Sequence, residues 1–303
     1  MNFDIFELLI GRQGDNNYLQ KPVIIQGMTG NFGSAHTRLM KAYGTNIVGG
    51  VTPGKGGLEF DGIPVYETVR EVRKVVDVKI TGLFVPAPFF LKAAKEALDS
   101  GIKLLIAIPE HVPVKDAIEA VHYAQSNKAM IIGPNTPGVI VPNVIKIGIM
   151  PHQPFSPGKT AVFSRSGTLM YEVSYYLSKA GIGQKFALGI GGDPINGTNL
   201  MEAFELIKDV SNIDSIVVVG EIGGDAEERL AEYIIDSGFS KPVVGYIAGR
   251  SAPKEKKMGH AGAIVYGNYG SAESKISNFA RANVPVAKRP AEIPELLTAI
   301  MRR

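Results

Sequence analysis

The sequence predicts an α/β protein made of two domains. Short apolar runs rich in β-branched residues alternate with helical stretches along the chain, and this alternation restarts after a proline-rich segment. Apolar strands separated by helices are typical of parallel sheets that are covered on both faces. At 303 residues the chain is also long enough for two hydrophobic cores.

Strand and helix signals alternate in the first half of the chain. The predicted strands are Val23–Gly27, Asn46–Gly50, Ile80–Val85 and Lys103–Ile108, and the predicted helices lie near Ser34–Tyr43, Phe89–Ser100 and Val114–Gln125. The segment Ile149–Gly158 contains three prolines and no regular period, so we place the domain boundary there. The predicted domains are residues 1–155 and 156–303.

The second half repeats the pattern with glycine-rich turns. Its predicted strands are Thr160–Ser164, Lys185–Ile190, Ser215–Gly220 and Pro242–Gly249. Each of these strands leads into a turn, and ligands of open α/β sheets bind at the carboxyl ends of the strands. We therefore look for functional residues in these turns.

The composition excludes several classes of function. The net charge is only +3, which gives a nucleic-acid or anionic-membrane partner no electrostatic support. The sequence contains no cysteine. The lack of cysteine rules out disulfides and thiolate sites, and it fits a reducing or a hot compartment. Residues 1–15 lack the basic start of a signal peptide, and no apolar run approaches the ~18 residues that span a bilayer. We expect a soluble, cytoplasmic protein.

A glycine-rich turn, Gly27-Met28-Thr29-Gly30-Asn31-Phe32-Gly33, follows the first strand and opens a helix. Glycines in such a turn let backbone N–H groups and the helix N-terminus approach a phosphate. The spacing is G-x-x-G-x-x-G rather than the G-x-G-x-x-G of dinucleotide-binding folds. An ordinary strand-to-helix turn is therefore an equal alternative.

The second strand leads into Thr52-Pro53-Gly54-Lys55-Gly56-Gly57. NAD-binding folds place an Asp or Glu near this point to hold the ribose hydroxyls, and this strand end has neither. A lysine among glycines suits a phosphorylated ribose, as in CoA or NADP, better than a free ribose. The alternative is a solvated lysine on a mobile loop.

His260 differs from the other four histidines because small residues flank it, in Gly259-His260-Ala261-Gly262. An uncrowded imidazole suits a nucleophile that accepts and passes on a bulky group; a surface-loop histidine is the alternative. Glu221, at a predicted strand end, either orients this ring or is an ordinary acid at a helix N-terminus. Ser166-Gly167-Thr168, at a strand-to-helix junction, forms a candidate anion site.

Together these segments resemble the α subunit of succinyl-CoA synthetase. The similarity covers nearly the whole chain from Pro22 onward, with motifs in the family's order: GGVTPGKGG, VPAP, IGPN-PGVI, SRSGTLMYE, GIGGDPI, GEIGG, KPVVGYIAG and MGHAGAI. The resemblance implies a Rossmann-like, CoA-binding N-terminal domain. It also implies a flavodoxin-like C-terminal domain that carries a phosphohistidine.

The resemblance further implies roles for individual residues. The CoA contacts fall on Thr29, Gly30, Asn31, Phe32, Lys55, Ile108, Pro109 and Glu110. The phosphohistidine falls on His260 and its supporting glutamate on Glu221. The tyrosine near the acyl substrate falls on Tyr171, and the helix start that faces the phosphohistidine falls on Ser166, Gly167 and Thr168.

The implied reaction is reversible: succinate, CoA and NTP give succinyl-CoA, NDP and phosphate, with the phosphoryl group passing through His260. The implied partner is a larger β subunit with an ATP-grasp fold, which binds ATP or GTP and Mg²⁺, and no metal is expected in this chain. The alternatives are a CoA ligase for malate, citrate or acetate, and a non-catalytic regulator that binds CoA or NADP. A plain oxidoreductase is disfavoured by the missing strand-end acid.

Two features depart from the family pattern. Thr136 in Pro134-Asn135-Thr136-Pro137-Gly138 stands where many members have a cysteine close to the CoA thiol. This chain therefore cannot form a mixed disulfide with CoA there, and the acid preference near that pocket stays open. The N-terminal extension, residues 1–19, goes beyond the usual start, and the sequence assigns it no role.

Overall fold

The computed structural model describes residues 4–12, 18–251, 259–265 and 269–302. The chain divides into two compact units. Unit 1 comprises residues 1–150 and 195–198, and unit 2 comprises residues 151–194 and 199–303. The functional domain limits at 155 and 156 stay a prediction.

Unit 1 is built from short strands and helices, and helices separate most of the parallel strands of its main sheet. Its described strands are β1 Ile10–Arg12, β2 Tyr18–Gln20, β3 Val23–Gln26, β4 Ile47–Val51, β5 Glu59–Phe60, β6 Ile63–Tyr66, β7 Ile80–Leu83, β8 Leu104–Ala107, β9 Met130–Ile132, β10 Gly138–Val141 and β11 Ile145–Gly148. Its described helices are α1 Ile5–Leu9, α2 Asn31–Tyr43, α3 Val69–Val75, α4 Phe90–Asp99 and α5 Val114–Ser126, with a 3₁₀ turn at Ala87–Phe89.

The main sheet of unit 1 has the strand order β5-β6-β4-β3-β7-β8-β9. All neighbours are parallel except β5 and β6, which pair antiparallel. The chain builds outward from β3 through β4 to β6, then returns to place β7 on the other side of β3. This reversal is the switch point of a Rossmann-like sheet, and ligands bind beside it at the carboxyl ends of the strands.

Buried aliphatic side chains attach the helices to this sheet. Phe90, Ala94 and Ala97 on α4 and Ala120 on α5 are fully buried in one apolar cluster with the strands. Their spacing of three and four residues puts them on one helix face. The N-terminal extension also packs: Ile5 and Leu9 of α1 are fully buried, and β1 and β2 form an antiparallel pair.

Unit 2 has a second parallel sheet. Its described strands are β12 Pro157–Ser164, β13 Gln184–Gly189, β14 Ser215–Glu221, β15 Val243–Ala248 and β16 Val286–Ala287, which lie in the order β13-β12-β14-β15-β16. The described helices are α6 Gly167–Lys179, α7 Leu200–Glu205, α8 Ala226–Ser237, α9 Ala272–Arg281 and α10 Ile293–Met301, with a 3₁₀ turn at Pro290–Glu292. If β12 to β16 are renumbered 1 to 5, the strand order is 2-1-3-4-5, which is the order of flavodoxin-like folds. The switch point of this sheet lies between β12 and β14.

The two predicted α/β sheets are confirmed, and each predicted strand overlaps an observed one. The short strands β5, β6, β9 and β16 were missed, as were the antiparallel pairs β1–β2 and β10–β11. Two to four residues carry too little periodicity to be distinguished from a loop. Within the described residues, no helix combines the length and the apolar character of a membrane span.

Candidate functional site

Close backbone packing shapes the glycine turn of unit 1. Gly27 has φ +82°, and a Cβ there would lie 2.6 Å from the carbonyl oxygen of Phe84, which directly follows the neighbouring strand β7. Met28 is fully buried, and its side chain fills the space that a Cβ on Gly50 would need. The turn is thereby held at the end of β3, with Gly30 as the N-cap of α2. The first-turn amides of α2 have no intrahelical partner and point toward this edge of the sheet.

Two threonine hydroxyls lie at this edge, shielded from solvent. Thr29 Oγ1 and Thr52 Oγ1 follow the adjacent strands β3 and β4, and neither has a hydrogen-bond partner among the described residues. An unpaired buried hydroxyl costs about 1–3 kcal/mol. A ligand that hydrogen-bonds to both would offset this cost. Asn31 and Phe32, on the first turn of α2, are exposed beside them.

The loop that carries Lys55 is held by a carboxylate. Glu67 accepts hydrogen bonds from the amides of Gly54 at 2.7 Å and Gly56 at 2.6 Å. These two backbone N–H groups lower the pKa of Glu67. Because both amides are already paired with Glu67, they are not free to bind a phosphate. The exposed Lys55 side chain is the group of this loop that can bind an anion.

The remaining predicted CoA residues follow β8. Ile108 donates its amide to Leu83 at 3.1 Å, and the carbonyl of Pro109 accepts from Asn135 at 2.8 Å, which fixes the backbone beyond the strand. Glu110 is exposed. All eight predicted CoA residues thus follow the carboxyl ends of β3, β4 and β8, at one edge of one sheet. Their contact with CoA stays a prediction.

In unit 2, His260 and Glu221 are hydrogen-bonded. Nδ1 of His260 lies 2.8 Å from Oε2 of Glu221. Glu221 ends β14 and is 7% exposed, whereas the imidazole is 30% exposed. A carboxylate can only accept, so Nδ1 carries the proton. Nε2 of the neutral ring then has a free lone pair, which is the requirement for a nucleophile.

Glycine gives the ring its space. A Cβ on Gly192 would lie 2.5 Å from ring carbons of His260, so only glycine fits against this face of the imidazole. Gly223, after β14, has φ +92°, and a Cβ there would lie 2.0 Å from the carbonyl oxygen of Gly262 in the histidine loop. Close backbone approach therefore holds the histidine loop against two strand ends. Met258, which belongs to the motif around His260, lies outside the described residues.

Arg165 is the cation of this site. Its Nη2 lies 3.4 Å from Oε1 of Glu221, and its Nη1 donates to the carbonyl of Gly223 at 3.1 Å. The guanidinium, 11% exposed, thus shares the Glu221 carboxylate with His260. No role for Arg165 was predicted from the sequence, although the residue lies within the motif SRSGTLMYE. Its position between the end of a predicted strand and the start of a helix is the sequence feature that could have marked it as a site residue.

The charges around His260 act in opposite directions. The hydrogen bond to Glu221 raises the pKa of His260 above its usual 6.5, and the negative charges of Glu221 and Asp193 add to this effect. Burial and the positive charge of Arg165 lower it. The net result is a raised pKa, because the ring shares its proton with a carboxylate at short distance.

Helix α6 begins beside this cluster. Ser166 is its N-cap and accepts from the amide of Leu169 at 3.4 Å, while Ser164 Oγ accepts from the amide of Ser166 at 3.0 Å. Gly167 and Thr168 form the first turn, whose amides have no intrahelical acceptor. Because Arg165, just before this helix, contacts Glu221, the start of α6 lies next to the hydrogen-bonded residues His260 and Glu221.

Tyr171 lies one turn further along α6. Its ring packs edge-to-face on Phe155, and burial raises the pKa of the phenol to about 12. The hydroxyl is therefore neutral at physiological pH and acts as a hydrogen-bonding group. Within the described residues, no three His, Asp or Glu side chains group together as a metal site would require.

Comparison with known proteins gives two family models in sequence order. A CoA binding domain matches residues 19–111, and a CoA-ligase domain matches residues 163–284. Succinate–CoA ligase [ADP-forming] subunit alpha 2 of Archaeoglobus fulgidus is 48% identical over 279 residues, 92% of this chain and 96% of that protein. The alpha subunit of Aquifex aeolicus is 47% identical over 282 residues, 92% of each chain.

The chain belongs to the family of succinate–CoA ligase α subunits. The predicted family and the predicted enzyme class, an acid–thiol ligase, are therefore confirmed. CoA as a substrate has the support of the CoA-binding family model, and the name of these relatives implies a partner subunit. The alternatives weighed from the sequence, ligases for other acids and a non-catalytic regulator, are not favoured by these relatives.

Solved structures of other CoA enzymes share the fold of this family. ATP citrate lyase from Methanothrix soehngenii, in complex with citrate and coenzyme A, aligns with a TM-score of 0.84 at 21% identity over 93% of this chain. The dinucleotide forming acetyl-coenzyme A synthetase 1 of Ca. Korarchaeum cryptofilum aligns with a TM-score of 0.73 at 20% identity over 89%. This chain spans only 50% and 58% of those chains. At this identity the likeness shows the fold alone.

The charges around His260 predict a specific change on substitution. Glu221→Gln will lower the pKa of His260, because the substitution removes the hydrogen-bonded carboxylate that raises it most. A raised folded-state pKa stabilises the fold below the unfolded value near 6.5, and this contribution is lost as the pH rises through the raised value. The stability difference between wild type and Glu221→Gln will therefore be larger at pH 6 than at pH 8.5.

Histidine NMR titration and denaturant unfolding at the two pH values measure both effects. Asp214→Asn is the matched control, since Asp214 pairs with Lys159 on the surface at 3.1 Å and precedes β14 at the opposite end. An unchanged His260 titration in Glu221→Gln would contradict the assigned hydrogen bond.

Proposed function

We propose that this chain is the CoA-binding, phosphohistidine-bearing α subunit of an NDP-forming succinate–CoA ligase. It interconverts succinate, CoA and NTP with succinyl-CoA, NDP and phosphate, together with a β subunit. The observation that carries this proposal is the 2.8 Å hydrogen bond between His260 Nδ1 and Glu221. It leaves Nε2 free to accept a phosphoryl group and to pass it on.

CoA binds unit 1 along the carboxyl edge of its sheet. The amides of Asn31 and Phe32, at the start of α2, bind a phosphate, with the Thr29 hydroxyl as an added donor, whereas the amide of Gly30 is already paired with the carbonyl of Gly27. Lys55 pairs with a second phosphate, on the ribose, because it is the exposed cation of a loop whose amides are already paired. Ile108, Pro109 and Glu110 border the pantetheine arm. The two unpaired threonine hydroxyls support this placement.

In the direction of ligation, Nε2 of His260 attacks the γ-phosphorus of NTP, and NDP leaves with the electron pair of the broken P–O bond. A succinate carboxylate oxygen then attacks the phosphohistidine, the P–N bond breaks, and succinyl phosphate forms. The CoA thiol, losing its proton, displaces phosphate from the acyl carbon to give succinyl-CoA. Splitting the transfer through a covalent intermediate lets one residue serve two substrates.

Each charged or polar group near His260 has a role in these reaction steps. Glu221 holds the Nδ1 proton and compensates the positive charge that the ring acquires when Nε2 is phosphorylated. The amides of Gly167 and Thr168, with the positive end of the α6 dipole, bind the phosphoryl oxygens. Arg165 balances the negative charge that a phosphoryl group adds beside Glu221. Tyr171, neutral because its pKa is about 12, donates a hydrogen bond to the acyl carboxylate.

The nucleotide and its Mg²⁺ bind to the β subunit, whose fold is ATP-grasp. This sequence contains no G-x-x-x-x-G-K-[ST] phosphate loop. The absence of that motif, together with the α-subunit name of the relatives, supports a division of labour between two chains. The ADP-forming relatives favour ATP over GTP as the nucleotide.

Lys55→Ala tests the CoA site. Loss of a charge-assisted contact costs about 1.5–3 kcal/mol, so CoA affinity will fall about tenfold or more. Calorimetry with 3′-dephospho-CoA isolates the contact, because this ligand lacks the ribose phosphate and its affinity will change little. Lys79→Ala is the control, since Lys79 precedes β7 at the opposite edge of the sheet. An equal loss of affinity for CoA and for 3′-dephospho-CoA would show that Lys55 contacts another part of CoA. An unchanged affinity for CoA would show that Lys55 does not contact CoA.

His260→Asn tests the chemistry. Incubation of the complex with γ-labelled NTP will give label on this chain that is labile to acid, stable to base and discharged by NDP, as expected of a phosphoramidate. The chain without its β subunit will not be labelled. The Asn variant will lose labelling and turnover but will bind CoA, because the CoA residues belong to unit 1. His152→Asn, an exposed histidine of unit 2, is the control. Label that persists in the Asn variant would identify another nucleophile.

A further inference from the structure

A fully buried ion pair lies directly behind the residue that orients His260. Nζ of Lys275, on α9, contacts Oε2 of Glu227, on α8, and both side chains are 0% exposed. Nζ also lies 3.0 Å from Glu228 and donates to the carbonyl of Gly224 at 3.0 Å. Removing two charges from water costs several kcal/mol per ion, and an apolar pair of equal volume is often as stable. Stability alone therefore does not account for this pair.

The second oxygen of Glu227 contacts the end of β14. Oε1 accepts the backbone N–H of Glu221 at 3.3 Å. Gly220, the preceding residue, makes room for this contact, because a Cβ there would lie 2.4 Å from the same oxygen. The carboxylate of Glu227 thus bridges the Lys275 ammonium and the amide of the residue that holds His260.

The direction of the strand amides explains why Glu221 needs this acceptor. Amides alternate in direction along a strand, and those of Ile216 and Ile222 donate toward β15. The Glu221 amide therefore points toward β12. On that side the pairing ends at Val219, which is opposite Ser164. Glu227 supplies the hydrogen bond that the sheet no longer offers at Glu221.

We propose that Glu227, held by Lys275, is a positioning residue of the phosphoryl-transfer site. It fixes the end of β14 so that the side chain of Glu221 meets Nδ1 of His260. This role deepens the proposed function and rests on it. Glu227 itself touches neither the histidine nor the Arg165 guanidinium in any contact of the described residues, so it acts through the Glu221 backbone.

The test removes the acceptor oxygen while keeping the side-chain volume. In Glu227→Met, Lys275 retains Glu228 and the Gly224 carbonyl as partners. The matched control, Glu227→Gln, removes the charge but keeps an oxygen that accepts the Glu221 amide. Two properties of the α subunit are measured: the titration and tautomer of His260 by NMR on the chain alone, and the phosphorylation rate with its β subunit and NTP.

We expect Glu227→Met to lower the pKa of His260 toward 6.5 and to mix its two tautomers. Phosphorylation will slow by about 10- to 100-fold, since a small misplacement of reacting groups has effects of this size. CoA affinity will not change. Glu227→Gln will keep the wild-type tautomer and most of the rate. If Glu227 had a role in packing alone, the Met and Gln variants would not differ in the titration of His260 or in the phosphorylation rate.

Two results would overturn the proposal. One is a folded Glu227→Met variant with the wild-type titration and rate; the other is equal impairment of the Met and Gln variants. If Glu227→Met does not fold, Glu227→Met/Lys275→Met removes both buried charges, and the same expectations apply to it. A wild-type chain that is never phosphorylated would refute the proposed function, while the His260 titration would still decide the positioning role.

Discussion

The hydrogen bond between Glu221 and Nδ1 of His260 is the constraint on which the proposed chemistry of this protein depends. It selects one tautomer, and in the proposed mechanism it balances the charge that the ring acquires when the other nitrogen is phosphorylated. The surrounding structure serves this bond. Gly192 and Gly223 allow the histidine loop to approach, Arg165 shares the carboxylate, and a buried ion pair contacts the Glu221 backbone.

Both units use a carboxylate to hold backbone amides at a strand end. Glu67 binds the amides of Gly54 and Gly56 in unit 1, and Glu227 binds the amide of Glu221 in unit 2. In each case the bond fixes the backbone beside a charged side chain of the site, which is Lys55 in unit 1 and Glu221 in unit 2. A rigid backbone reduces the entropy that must be lost when the ligand binds.

The sequence predicted most of the fold because apolar runs and glycine turns are local signals. It also identified His260 and Glu221, which lie 39 positions apart, through motifs whose order resembles one family. It missed Arg165, Glu67 and Glu227 as parts of the sites. Nothing in a local pattern distinguishes Glu227 from Glu228 beside it, since only the folded chain turns one of them to the strand end. The strand pair β10–β11 was missed because each of its strands has only four residues, which are too few to show a regular period.

In the proposed mechanism, Glu221 protects Nδ1 of His260 so that Nε2 carries the phosphate. Phosphorus–nitrogen and proton–nitrogen correlation NMR on the phosphorylated chain, with ¹⁵N-labelled histidine, measures this directly. We expect phosphorus to be coupled to Nε2 of His260, and the proton on Nδ1 to be shielded from exchange by Glu221. Phosphorus on Nδ1, or a proton on Nε2 of the phosphorylated ring, would contradict the proposed mechanism.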